Sequence, residues 1–231
     1  MHWKVEDLKA RVADPRAWLP SVLAATLVAV PVITWMGSVG NLVPYLYHQV
    51  PDGQLVYLVA KLAGLAALVL MSVQLAIGLS GLARVTAERN WYRVHRGLGI
   101  ATFATVLLHA VLFASAASLR SHSLLLGYFW PDFSQGYYRS MIAVGALALI
   151  VLALAFIAAM LRGRFPRIAA LLHRLVLPVY ALVWIHSLTI GSESRMGLMP
   201  YVYGLLAMLV AAAFAYRIVV TAQRAKPKIG S

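Results

Sequence analysis

Six long stretches of this sequence contain no Asp, Glu, Lys or Arg, and they constrain its fold more than any other feature. Each is long enough, or nearly so, for the roughly 20 apolar residues with which an α-helix crosses a bilayer. Only 12% of the residues are charged and 62% are hydrophobic, whereas a soluble domain is about a quarter charged. The stretches lie between Arg16 and Asp52, Lys61 and Arg84, Arg96 and Arg120, Arg139 and Arg162, Arg174 and Glu193, and Arg195 and Arg217.

These stretches predict an all-α integral membrane protein, a bundle of six helices. In lipid the backbone must satisfy its own hydrogen bonds, and no segment alternates like the strand of a membrane barrel. Without internal repeats or low-complexity runs, residues 1–231 read as a single transmembrane domain, with tails at 1–16 and 221–231 and six helices within 17–220. The predicted spans are 17–36, 55–80, 94–115, 138–161, 168–190 and 199–220.

The distribution of positive charge predicts the topology. Sixteen of the twenty basic residues fall in the tails, the 2–3 and 4–5 loops and the adjoining helix ends, and the other four, Lys61, Arg120, Arg139 and Arg195, fall on the opposite side. The positive-inside rule then places both termini in the cytoplasm. We attribute the net charge of +13 to topology and to contact with anionic membrane lipid, because no aromatic-interleaved basic motif indicates nucleic-acid binding.

Several kinds of chemistry are excluded by what the chain lacks. With no cysteine, it cannot attach a c-type haem covalently, hold a cysteine-ligated iron–sulfur cluster or form a disulfide. It has no glycine-rich or Walker-type nucleotide motif, so we expect no flavin or nucleotide site of its own. All seven acidic residues lie outside the predicted spans, which leaves no basis for a Ser-His-acid triad.

Three polar or aromatic features admit two interpretations each. The outer loop 116–137 contains "GYFWPDFSQGYY", which fits an interfacial aromatic belt better than a lid over the bundle. Lys61, inside the second helix, is expected to extend its ammonium to the interface. Gln74 could hydrogen-bond a quinone or a haem edge, but a bond between helices is the better expectation.

Four of the seven histidines lie in predicted helices: His95 and His109 in the third, His173 and His186 in the fifth. Two histidines on one helix cannot share a metal ion, because fourteen residues rise about 21 Å and thirteen about 20 Å. The two helices run in the same direction, so His95 and His173 lie at one depth near the cytoplasmic side, and His109 and His186 at another near the outer side.

Two histidines facing each other across a bundle can provide both axial ligands of a haem iron. The alternatives for a single intramembrane histidine are an interhelical hydrogen bond or a proton relay, but two pairs at matched depths favour haem ligation. On an ideal helix, an interval of fourteen residues places His109 within about 40° of the face that carries His95. An interval of thirteen places His186 about 140° away from the face that carries His173. Pro178 lies between His173 and His186, and a kink there would reduce this misfit.

Residues near the histidines fit this hypothesis. Arg96 and Arg174 directly follow the inner histidines and Arg93 is close, so each could bind a haem propionate or simply extend to the interface. Gly97 and Gly99 would let a macrocycle or a helix approach. Phe103, Tyr180 and Trp184 fall between the two levels, where core packing is the simpler explanation.

At these residues the chain resembles the ferric-reductase-like transmembrane superfamily, which includes the membrane domains of NADPH oxidases and ferric-chelate reductases. The likeness rests on "HRGLG…LLH", "LHR…WIH", their intervals of fourteen and thirteen, and the six-helix layout across about 17–220. It implies two b-type haems between the third and fifth helices, with iron ligand pairs His95/His173 and His109/His186. The cytochrome b of quinol–cytochrome c reductases is less similar, because both of its intervals are fourteen.

The resemblance implies a transmembrane electron carrier, an oxidoreductase or a subunit of one, in a bacterial inner membrane. NADPH oxidases carry a flavin domain after the sixth helix, whereas here eleven residues follow the predicted sixth helix and end in "QRAKPKIGS". We therefore expect FAD or FMN only in a partner flavoprotein, or quinol as the electron donor. The acceptor would be a ferric complex, dioxygen or a periplasmic protein. The alternative is a haem subunit serving a periplasmic reductase such as methionine sulfoxide reductase. A third hypothesis is a proton-coupled transporter with the histidines in its proton relay, and such a protein would be colourless.

Overall fold

The structure is a computed structural model that describes residues 15–47, 50–80, 89–191 and 194–225. Every regular element in those ranges is helical, which confirms the all-α prediction. The elements are α1 (Pro15–Val39), α2 (Val43–Leu46), α3 (Gln54–Ser80), α4 (Arg89–Ser121), a 3₁₀ turn (Leu126–Phe129), α5 (Gly136–Met160), α6 (Pro166–Arg174), α7 (Val176–Ile190) and α8 (Met199–Ala225).

Five helical segments are long and apolar enough to cross a membrane, so this is a multi-pass membrane protein. They match the predicted spans 55–80, 94–115, 138–161, 168–190 and 199–220 within about three residues, except that the second runs on to Ser121. The predicted span 17–36 falls in α1, whose described apolar portion, Ala24–Val39, is shorter than the others. A sixth crossing and cytoplasmic termini therefore remain predictions, and the tails at 1–14 and 226–231 lie outside the described residues.

The predicted fifth helix is divided at Leu175 into α6 and α7. Pro178 explains the break: it has no N–H to donate to the carbonyl of Arg174, four residues earlier. At the same point the amide of Leu175 bonds to the Leu172 carbonyl at 3.0 Å, a tighter turn than the α-helix uses. Regular hydrogen bonding resumes with Val179, whose amide lies 2.9 Å from the Leu175 carbonyl.

The core lies midway along the bundle, where α3, α5, α7 and α8 meet. Its centre is apolar and includes Leu68 and Met71 of α3, Leu152 of α5 and Val179 of α7. Helix α1 is attached at the edge, where the Trp35 indole N–H donates to the Leu58 carbonyl at 2.8 Å. Many large apolar side chains are exposed on the outside of the helices, as expected where lipid is the solvent: among them are Val28, Ile33, Leu108, Met160, Leu171 and Leu205.

Candidate functional site

The four intramembrane histidines form two facing pairs. The ring centres of His95 and His173 lie 6.1 Å apart with planes at 82°, and those of His109 and His186 lie 6.4 Å apart with planes at 80°. We call them the inner pair and the outer pair, after the sidedness that the basic residues predict. The break at Leu175 places His173 in α6 and His186 in α7, so the thirteen-residue interval does not run along one ideal helix.

The helices that carry the facing histidines stand apart. Within the described residues, no Cα atom of α4 comes within 8 Å of a Cα atom of α6 or α7. Helices in direct contact have axes about 8–10 Å apart, which brings some of their Cα atoms closer than that limit. The histidine rings thus face one another across a gap, and helices α3 and α5 close its sides by packing against α4 and α7 respectively.

Both outer histidines are fixed by backbone carbonyl groups of neighbouring helices. His109 Nδ1 lies 2.7 Å from the Ala60 carbonyl oxygen on α3, and His186 Nδ1 lies 2.8 Å from the Met141 carbonyl oxygen on α5. A carbonyl only accepts hydrogen bonds, so Nδ1 carries the proton in each neutral ring. The lone pair of Nε2 is then left for a metal ion, the usual arrangement of a metal-binding histidine.

Two glycines make room for the outer rings. A Cβ atom at Gly64 would lie 2.9 Å from His109 Nδ1, and one at Gly145 would lie 2.6 Å from His186 Nδ1 and Cε1. These two glycines could not be recognised from the sequence, because neither lies near its histidine along the chain. The predicted glycines differ: Gly97 has open space around its missing Cβ, and that of Gly99 is filled by the Gln74 amide.

The inner pair lacks such anchors in the described part of the chain. His95 Nδ1 is buried there with no hydrogen-bond partner. Arg162, in the turn after α5, lies close enough to His173 for an electrostatic interaction, and the sequence analysis did not select it. The three predicted arginines have exposed side chains near this end of the bundle: Arg93, Arg96 and Arg174.

Both pairs fit two axial imidazoles on one metal ion. Imidazoles bound on opposite sides of an ion, each through a bond of about 2 Å, have ring centres about 6 Å apart. If the rings only packed against each other, the helices could lie in direct contact. The Nδ1–H groups of the outer pair would then not need to point away from the gap. Within the described residues no three His, Cys, Asp or Glu side chains cluster, so an ion held at either pair would have two histidine ligands and would take its other ligands from a cofactor.

A cavity opens beside the outer pair. It is lined by both outer histidines, Gly64 and Gly145, and its empty volume of about 1400 Å³ includes space continuous with the outside. Lys61 lines it too, with its ammonium 4.6 Å from the centre of the Tyr57 ring, rather than only reaching the interface as predicted. Gln74 behaves as predicted and makes an interhelical contact, with its side-chain amide 3.1 Å from the Thr102 hydroxyl of α4.

The aromatic residues of loop 116–137 divide between the two predicted roles. Tyr128 and Phe129 line the outer cavity, and Tyr128 packs edge-on against Phe113 of α4 with ring centres 5.4 Å apart. In contrast Trp130 and Tyr137 are 73% and 67% exposed, as an interfacial belt requires. This segment therefore covers the cavity with one side and faces the membrane interface with the other.

The cavity cover is braced by polar contacts. The guanidinium of Arg139 lies over the Tyr128 ring, 4.2 Å from its centre. Hydrogen bonds from the hydroxyl and amide of Ser134 to Asp132 lower the pKa of that carboxyl, with smaller contributions from Arg139 and the Gln135 amide. The carboxylate stays ionised at neutral pH and holds the turn that leads into α5.

Comparison with known families settles the relationship. A family model described as the ferric reductase like transmembrane component matches residues 63–184, just over half of the chain.

This chain belongs to the ferric-reductase-like transmembrane family.

The matched segment contains both cavity glycines and three of the four intramembrane histidines, His95, His109 and His173, and it ends two residues before His186. Ferric-reductase-like domains typically bind haem and the family works with redox partners, which supports a role in membrane electron transfer. Searches of curated proteins and of solved structures gave no match to this chain.

Proposed function

We propose that this protein is a di-haem b-type electron carrier, with His95/His173 and His109/His186 as the axial pairs. The observation that carries this proposal is the spacing of both pairs at 6.1 and 6.4 Å between helices whose backbones stay apart. Haem would supply reversible one-electron chemistry at each level. Two levels about 21 Å apart along α4 divide the membrane crossing into shorter steps.

The chain's own residues would bind and orient the two groups. The carbonyls of Ala60 and Met141 hold the outer rings with Nε2 toward the gap. At the inner level, the exposed side chains of Arg93, Arg96 and Arg174 would bind the negatively charged propionates, since a guanidinium binds a carboxylate through two parallel hydrogen bonds. The donor, a flavoprotein or membrane quinol, would deliver electrons on that side.

The outer cavity supports a small anionic acceptor rather than a docked periplasmic reductase. Lys61 lines it, and Arg120 and Arg139 stack on two tyrosines of its wall, so its mouth is basic. Such a mouth raises the local concentration of anions, including ferric chelates. Each turnover takes one electron from the donor and passes one to the acceptor, converting a ferric complex to its ferrous form.

The visible spectrum of the purified protein tests this proposal. Oxidised and reduced spectra should be those of six-coordinate b-type haem, with about two haems per chain. In proteoliposomes, an enclosed reductant should then reduce ferric citrate outside. Protein made in haem-replete cells that shows no Soret band would refute the proposal. Reduction that needs an added periplasmic protein would favour the reductase-subunit alternative.

A further inference from the structure

The two outer histidines contact the same backbone arrangement, a carbonyl followed by a glycine, on two different helices. On α3 the Ala60 carbonyl precedes Gly64 by four residues, and on α5 the Met141 carbonyl precedes Gly145 by four. Residues four apart lie one above the other on the same helix face. Each histidine ring therefore rests on one helical turn, with its Nδ1–H at the carbonyl and its edge in the space of the missing side chain.

The carbonyls can serve both partners at once. In an α-helix the carbonyl of residue i accepts the amide hydrogen of residue i+4, which here belongs to the glycine itself. A carbonyl oxygen has two lone pairs, so it can also accept the imidazole N–H. Reaching that second lone pair requires the ring to come in over residue i+4, and a side chain there would block it.

The missing side chains are a steric requirement at these positions. Real Cβ atoms essentially never lie under 3.0 Å from a neighbour, yet a Cβ at Gly145 would lie 2.6 Å from two atoms of the His186 ring. At Gly64 the shortest approach, to His109 Nδ1, would be 2.9 Å. The obstacle in each case is a ring held by a hydrogen bond, so moving it lengthens that bond.

The inner pair is held differently. A Cβ at Gly78 would lie 3.4 Å from the His95 ring, an ordinary contact. In the part of the chain that the structure describes, His95 Nδ1 has no carbonyl partner. The carbonyl–glycine turn is therefore a property of the outer level.

We infer that Gly64 and Gly145 are positioning residues of the outer centre, which let two backbone carbonyls fix the tautomer and the near-perpendicular planes of its axial histidines. This inference rests on the proposed function. A hydrogen bond from Nδ1 makes an imidazole a stronger donor to its metal, and losing such a partner costs about 10–100-fold in metal affinity. Stronger donation favours the oxidised form, so the turns also lower the potential of the outer centre relative to unanchored rings.

Alanine substitutions with two controls test the inference. The test variants are Gly64→Ala and Gly145→Ala. In the first control, Gly99→Ala, the new Cβ would lie 2.8 Å from the Gln74 amide nitrogen. This clash is of similar size, but it is with a glutamine side chain and not with a histidine ring. In the second, Gly204→Ala, the Cβ meets nothing within 4 Å. Haem per chain at limiting haem, ferric EPR spectra and redox titrations are measured for all four.

The test variants should lose affinity for one haem by about 10–100-fold. Where that haem is retained, its EPR signal should move and its potential should rise while the other centre is unchanged. The change should be larger at Gly145, where the clash is closer. If Gly145→Ala does not fold, Gly64→Ala decides alone. Equal loss of both haems, or spectra and potentials like those of the controls, would overturn the inference. A wild-type protein without haem would instead refute the proposed function.

Discussion

The hydroxyl groups of Ser72 and Tyr180 lie 2.8 Å apart in the centre of the bundle, joining α3 to α7 between the two histidine levels. Ser72 donates its only hydroxyl hydrogen to the Leu68 carbonyl at 2.7 Å, so Tyr180 must be the donor to Ser72. Both residues are buried, Ser72 completely. This bond holds α7 in place just beyond the break at Leu175.

Replacing Tyr180 with phenylalanine should destabilise the protein modestly. The change removes one interhelical hydrogen bond but leaves Ser72 bonded to Leu68, so we expect a loss of about 0.6 kcal/mol in the free energy of unfolding. Unfolding in mixed micelles measures it. The matched control is Tyr216→Phe, because Tyr216 is 52% exposed and its change should have no effect. Equal effects of the two substitutions would contradict a specific role for the bond.

Alanine variants of the histidines should fall into pairs across the helices and not along them. His109→Ala and His186→Ala should each remove the same one of the two haems, and the double variant should lose no more than either single one, since both ligands serve one ion. His95→Ala and His173→Ala should share the other phenotype. Haem content and redox titration measure both. A phenotype shared by His95 and His109 would contradict the pairing.

Removing the Tyr128 ring should open the outer cavity. The Tyr128 ring packs against Phe113, and the Arg139 guanidinium lies over it. Because Tyr128→Ala removes this part of the cavity wall, it should speed reduction of the outer haem by dithionite severalfold, as measured by stopped-flow absorbance. Trp130→Ala is the control, because that side chain is 73% exposed and does not line the cavity. Unchanged rates in Tyr128→Ala would show that the loop does not limit access.

Removing the charge of Lys61 should slow anionic acceptors selectively. Lys61→Gln is expected to reduce the reoxidation rate with ferric citrate by about tenfold at low salt, with little change for a neutral acceptor, because the ammonium attracts anions into the cavity. High salt should erase the difference. Arg195→Gln, a basic residue outside the cavity lining, should have a much smaller effect. An equal loss with neutral acceptors would contradict steering by charge.

Acid should loosen the cavity cover. Asp132 has a lowered pKa in the folded protein, so its ionised form stabilises the turn above the pKa of an unfolded aspartate, about 3.9. That contribution disappears as the pH falls through the lower, folded value. A spin label on Trp130→Cys, specific because the chain has no cysteine, should gain mobility in this range. With Asp132→Asn added, the mobility should be pH-independent; a pH response that persists would exclude Asp132.

The sequence predicted the five long membrane helices and the residues that meet across them, because charge-free length and the depth of a histidine depend on local composition and helical rise. Pro178 also marked the fifth helix as irregular. The position of the interruption at Leu175 and the carbonyl–glycine turns at Gly64 and Gly145 could not be predicted. They depend on which face α3 and α5 turn toward the histidines, and that is set by packing across the bundle.

The break at Leu175 has a consequence for how the two levels respond to disturbance. A continuous helix would transmit any rotation at His173 directly to His186. Here α6 contacts α5 at the end that carries the basic residues, and α7 is held separately by its own packing on α5 and by the bond between Tyr180 and Ser72. Because the α-helical hydrogen bonding is interrupted between α6 and α7, we expect a partner that pushes on α6 to move His173 while His186 keeps its hydrogen bond to the Met141 carbonyl.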